Sequence, residues 1–212
     1  MSRSGLDFSH LKDLPSGKVA TKGEWSPLTP EDLKFDGLGL SFDQSLTATG
    51  WVILGCTRGR VEVMHSQTIR PKVPEDLTGF YQDLARGAAL YDILVNTPDF
   101  WTEFDVVVHE TPPVGARTKL HGDGTSSKLA AQALWCAFTV QGVPLEMVQA
   151  QAAKKTMTGK GSKVEKKEAH AAMMKHCAPW VNGIEKVTNE HERDALMNLL
   201  HRFQFESGVT RG

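Results

Sequence analysis

Residues 38–53, reading Leu-Gly-Leu-Ser-Phe-Asp-Gln-Ser-Leu-Thr-Ala-Thr-Gly-Trp-Val-Ile, constrain this chain more than any other stretch. Leu38, Leu40 and Phe42 alternate with small residues, a Ser/Thr-rich turn follows, and a second apolar run begins at Trp51. Two such runs at hairpin distance predict a pair of antiparallel strands. Asp43 closes the first of them. A carboxylate at the end of an apolar strand is costly to desolvate unless a cation, a hydrogen-bond partner or water reaches it. Two readings stand side by side: a turn aspartate bonded to its own loop, or a functional acid.

The pattern beyond this stretch predicts strands over residues 38–42, 50–56 and 61–69, joined by turns at 45–49 and 58–59, as an antiparallel meander. Helical spacing of Leu77, Phe80, Tyr81, Leu84, Ala88, Tyr91 and Leu94 follows. Residues 104–109, Phe-Asp-Val-Val-Val-His, form a run apolar on both faces that suits a central parallel strand, and it ends in Glu110. A glycine-rich loop over 111–125 leads to a strongly apolar helix over 126–141, which must be buried or lie at a subunit interface. A last strand is expected at 143–148, then helices over 149–156 and 163–176. The final helix runs over 189–205 with Ala195, Leu196, Leu199, Leu200 and Phe203 as its packed stripe. The sum is an α/β domain on a five-stranded mixed sheet, the meander plus two parallel strands, flanked by helices. Residues 1–36, with Pro15, Pro27 and Pro30 and no sustained periodicity, read as an irregular or partly disordered extension, with Thr29 able to cap one turn. The domain proper is placed at 37–206, with a tail at 207–212.

A chain of 212 residues supports one sizeable core. No apolar run reaches membrane-spanning length, and the N-terminus lacks a secretory core, so an intracellular, cytoplasmic protein is expected. Cys56, Cys136 and Cys177 have neither zinc-site nor disulfide-framework spacing; Cys56 and Cys136 read as small core residues. Trp51 and Trp135 read as core or interface residues. The net charge of −1 says little, but Lys154, Lys155, Lys160, Lys163, Lys166 and Lys167 crowd one segment.

Asp43 and Glu110 end apolar strands, and His191 and Asp194 share one face near the start of the last helix. A helix packed across the first and fourth strands would bring the four together. Carboxylates suit magnesium or manganese, and two such ions about 3.5–4 Å apart can activate water and stabilise a leaving oxygen in phosphodiester hydrolysis. Strand alternation turns His109 away from Glu110. Glu190 and Glu192 fit the positive end of the helix first and a metal second.

Taken in order, Gly-Leu-Ser-Phe-Asp43, Thr-Gly-Trp-Val-Ile53, Val-Val-Val-His-Glu110, the lysine segment 154–163 and His191-Glu192-Arg193-Asp194-Ala195-Leu196 resemble the RuvC family of Holliday junction resolvases. The resemblance covers residues 38–205. It implies an RNase H-like fold, a homodimer, and magnesium-dependent paired nicking of four-way DNA junctions, with two ions per site and manganese as a substitute. Asp43 matches the first-strand aspartate, Glu110 the fourth-strand glutamate and Asp194 the last-helix aspartate. His191 falls where relatives carry aspartate or histidine, so it is a metal ligand or a general base.

Lys154 matches a DNA-contacting lysine of the family, and either Lys163 or Lys166 takes the place of a second. Lys155 and Lys160, with Arg117 and Lys119 from the 111–125 loop, complete the expected phosphate track. That loop departs from the family pattern. It holds no Phe, Tyr or Trp where relatives carry a junction-opening aromatic; Pro113 or Val114 stands there, with Arg117 or His121 available to stack. The helix over 126–141 is the expected dimer seam. The alternatives are an RNase H-like nuclease for flaps, forks or RNA–DNA hybrids, and a non-catalytic branched-DNA-binding module.

Overall fold

The computed structural model describes residues 25–97, 100, 103–111, 123–143, 145–160 and 164–205. Arg117, Lys119, His121, Pro113, Val114 and Lys163 lie outside the described residues, as do 1–24 and 206–212. The meander consists of β1 (Gly37–Asp43), β2 (Thr49–Thr57) and β3 (Arg60–Ile69). β4 (Val106–Glu110) runs parallel to β1 on its free side, and β5 (Leu145–Val148) runs parallel to β4. The expected five strands gain a sixth, β6 (Val181–Asn182), a two-residue piece parallel to β3. The order is β5-β4-β1-β2-β3-β6.

Side-chain alternation divides the sheet between two cores. Leu40 and Phe42 of β1, Trp51 and Ile53 of β2 and Val107 of β4 point to one face, under α1 (Gly79–Asn96) and α2 (Asp123–Val140). Val52, Leu54, Val61, Val63, Val106 and Val108 point to the other. There α5 (Glu190–Arg202) lies over β2, β1 and β4, backed by α3 (Ala150–Thr158) and α4 (Lys166–Cys177). Val106 and Val108 thus serve one core and Val107 the other, which is why β4 is apolar on both faces. Full burial of such a valine is worth about 1.5–3 kcal/mol.

Asp43 and Glu110 follow the α5-facing phase of their strands. His109 turns to the α1–α2 face, as the alternation predicts, and is buried there. Cys56 is buried, whereas Cys136 is only half-buried. The apolar side chains of the helices are covered unevenly. Of the α1 stripe only Leu94 joins Leu90 in burial, while Phe80, Tyr81 and Leu84 are exposed. Trp51 is core, stacked on the His65 ring at 4.7 Å, but Trp135 is 57% exposed, because α2 presents Ala130, Ala133, Leu134, Ala137 and Phe138 to the sheet instead.

Residues 25–36 are held against the α5 side. Thr29 begins a 3₁₀ turn at Pro30–Asp32, its N–H donating to Asp32 Oδ2 at 2.8 Å. Leu28 and Phe35 are buried, and the Phe35 ring stacks on Phe203 at 4.4 Å. Trp25 lies across Gly159, the left-handed residue (φ 72°) that ends α3, and donates from Nε1 to the Thr156 carbonyl at 3.2 Å. A side chain at 159 would collide with that indole and strain the backbone.

Candidate active site

Asp43 ends β1 and Glu110 ends β4, at adjacent places in a parallel register that pairs Phe42 with His109. Gln44 carries the ladder one step further. Its Nε2 donates to the Glu110 carbonyl, and the Glu110 N–H donates to Gln44 Oε1 at 3.1 Å. A side-chain amide here reproduces a backbone pairing and fixes both carboxyl groups at one level.

The other half of the site comes from α5. Asn189 caps it, accepting from the N–H groups of His191 and Glu192, an arrangement worth about 1 kcal/mol. Glu192 is 4% exposed and accepts from the Thr188 N–H at 2.8 Å, from Thr68 Oγ1 at 3.0 Å and from Asn189 Nδ2. Burial alone would raise its pKa, but these donors win and hold it below the usual range. Glu192 therefore pins the first turn of α5 to β3.

With α5 so seated, His191 Nδ1 stands 3.0 Å from Asp43 Oδ2. That hydrogen bond lifts the imidazole pKa above its ordinary value against the pull of burial. Asp194 is 5% exposed and receives His170 Nε2 on Oδ1 at 2.8 Å and Lys166 Nζ on Oδ2 at 2.6 Å. Burial would raise its pKa, but the bonds from His170 and Lys166 bring it down. Asp43, Glu110, His191 and Asp194 all line one cleft of about 270 Å³, with Lys154, Lys166 and Asn198 on its walls. Lys155 is exposed on α3, and Lys160 is paired with Glu168.

Burial, the charges of Asp43 and Asp194, and a hydrogen bond to Asp43 push the Glu110 carboxyl up to about 7, despite an opposing pull from Lys166. Such crowding of hard oxygen donors suits a divalent cation, whose charge would let all three acids ionise. Among the described residues, no three His, Cys, Asp or Glu side chains are arranged to hold one ion as they stand. Asp194 is engaged by His170 and Lys166, and Asp43 by His191.

The raised Glu110 value has a stability consequence with a definite sign. Between about pH 4.5 and 7 the folded protein keeps a proton that the unfolded chain has released, so stability falls as pH rises through that window. In chelator, urea melts should show wild type losing up to about 3 kcal/mol from pH 5 to 8 relative to Glu110→Gln. Parallel pH profiles for the two proteins would rule this out.

Gln44, His170 and Asn198 escape a reading of the sequence. His170 has a faint signal, lying four residues after Lys166 on one helix face. Gln44 has none, because its role depends on the β1–β4 register.

A meander extended by two parallel strands in the order β3-β2-β1-β4-β5, with helices on both faces, is the RNase H-like fold. Within that fold, the structure resembles Holliday junction resolvases. Thermus thermophilus RuvC in complex with a Holliday junction substrate superposes with a TM-score of 0.58 at 16% identity, covering 78% of this chain and 92% of that one. The yeast mitochondrial Holliday junction resolvase gives 0.55 at 9% identity, covering 85% of this chain and 80% of that one. Fowlpox virus resolvase with Holliday junction DNA gives 0.50 at 12%, covering 79% and 97%. No protein-family model matches the sequence, and no curated protein is significantly similar to it.

Proposed function

We propose that this chain is a divalent-metal-dependent endodeoxyribonuclease that resolves four-way DNA junctions as a homodimer, by paired symmetric nicks. The observation that carries the reading is the gathering of Asp43, Glu110, His191 and Asp194, distant in sequence, in one cleft walled by Lys154 and Lys166. The likeness in fold to junction resolvases supports the same reading.

In this reading Asp43, Glu110 and Asp194 hold two magnesium ions, which manganese can replace, with His191 as a further ligand or as the base beside Asp43. Bound there, the ions would make water nucleophilic and stabilise the leaving oxygen. The chain's own residues do the rest. Lys154 meets the phosphate at the cleft wall, and Lys155, Lys160, Lys163, Lys166, Arg117 and Lys119 track the backbone. His191, whose Nδ1 donates to Asp43, takes up or returns a proton at Nε2 or orients Asp43, and the cuts leave 5′-phosphate and 3′-hydroxyl ends. The α2 helix forms the dimer seam, a use that suits the exposed Trp135 and places two sites about a two-fold axis. Among the described residues no helix is long and apolar enough to cross a membrane.

The test compares a mobile four-way junction, a fork, an RNA–DNA hybrid and linear duplex, each with magnesium and with chelator. Paired nicks on the junction in magnesium, absent in chelator, are expected. Turnover on the hybrid or fork alone would make the protein a different nuclease, and junction binding without turnover would make it a binding module.

A further inference from the structure

Both carboxylate oxygens of Asp194 are taken. His170 Nε2 bonds Oδ1 at 2.8 Å and Lys166 Nζ bonds Oδ2 at 2.6 Å. The two partners differ in their freedom to leave. His170 is buried on the inner face of α4, with 9% of its side chain exposed, flanked in the helix by the core residues Ala169 and Met173. Lys166 is the first residue of α4, and 49% of its side chain is exposed. It has four flexible carbons, and half of its side chain is open to solvent. A cation that takes Asp194 as a ligand must displace one of them, and only the lysine can swing away without opening the core. The charge arithmetic agrees, since an ammonium and a divalent ion competing for one oxygen repel each other at contact distance.

We propose that Lys166 is an exchangeable internal counter-ion of the acid cleft: it neutralises Asp194 until a divalent cation replaces it, and its released ammonium then binds a DNA phosphate in the same cleft. This rests on the reading of the cleft as an ion-binding nuclease site and adds a coupling to it. Ion loading makes a phosphate-binding group available, so ion and DNA strengthen each other's binding by the same factor. His170 has the opposite task. It is a positioning residue that keeps Oδ2 of Asp194 turned into the cleft.

The test is calorimetric titration of the full-length protein with calcium or manganese at fixed pH, with junction affinity measured with and without the ion. Lys166→Gln should bind the ion three- to tenfold more tightly than wild type, Lys166→Arg should stay near wild type, and His170→Ala should bind more weakly. Wild type should gain junction affinity when the ion is added, and Lys166→Gln should lose most of that gain. A merely structural lysine would not tighten ion binding when removed. Equal or weaker ion binding by Lys166→Gln overturns the proposal, even if wild type binds the ion and cuts junctions. If wild type binds no divalent ion, the nuclease reading falls as well. Lys166 sits on an exposed first turn, so the two Lys166 variants should melt within a few degrees of wild type, which a thermal scan checks.

Discussion

Asp43→Asn should lower junction nicking by about a thousandfold or more, while junction affinity measured in chelator stays within about threefold of wild type. A thousandfold is about 4 kcal/mol of transition-state stabilisation, the scale expected when a carboxylate leaves a site built to concentrate negative charge. Asparagine keeps the shape and can keep the bond to His191, so β1 has no reason to move. Leu40 and Phe42 still anchor the strand, and Gln44 still clamps Glu110. What is lost is charge. Removing it also takes away one of the causes that raise Glu110, so the variant should titrate Glu110 at a lower pH and lose less stability between pH 5 and 8. The two effects are read separately, one by nicking and one by urea melts. An Asp43→Asn protein that cuts at the wild-type rate would remove this residue from the mechanism.

Much of this architecture can be read from alternation and periodicity, because both depend on short stretches of chain. The small residues between Leu38, Leu40 and Phe42 put Asp43 on the α5 side, and the three valines of β4 put Glu110 beside it. The α5 stripe of Ala195, Leu196, Leu199 and Leu200 then fixes the rotation that brings Asp194 to the same cleft. What cannot be read is whatever depends on a partner remote in sequence. His170 matters only because α4 packs where it meets Asp194, and Gln44 only because β4 lies one register step away. β6 is two residues long and carries no period of its own. Periodicity predicts that Phe80, Tyr81 and Leu84 share the helix α1 with Leu94, but it does not tell which part of that stripe a neighbour covers. Trp135 shows the same limit on α2.

Gly50 tests how firmly α5 must be seated. It lies opposite Asp43 in the β1–β2 ladder, and a Cβ built on it would stand 2.3 Å from the His191 carbonyl carbon and 2.6 Å from the Glu192 nitrogen. These are backbone atoms in the first turn of a helix, so no rotamer change relieves the clash. Either β2 bends or α5 lifts. Lifting α5 would break the Glu192 bonds to Thr68 and Thr188, unseat Leu196, Leu199 and Leu200, and draw His191 away from Asp43. Gly50→Ala should therefore cost about 2–4 kcal/mol in urea melts and take most of the nicking activity with it. Gly55→Ala, five residues along the same strand, is the control. Its added methyl would meet only the Met64 side chain, at 3.5 Å, and both stability and activity should change little. If Gly50→Ala melts within about 0.5 kcal/mol of wild type and still cuts, α5 does not rest on the sheet at this point, and the meeting of His191 with Asp43 loses its support.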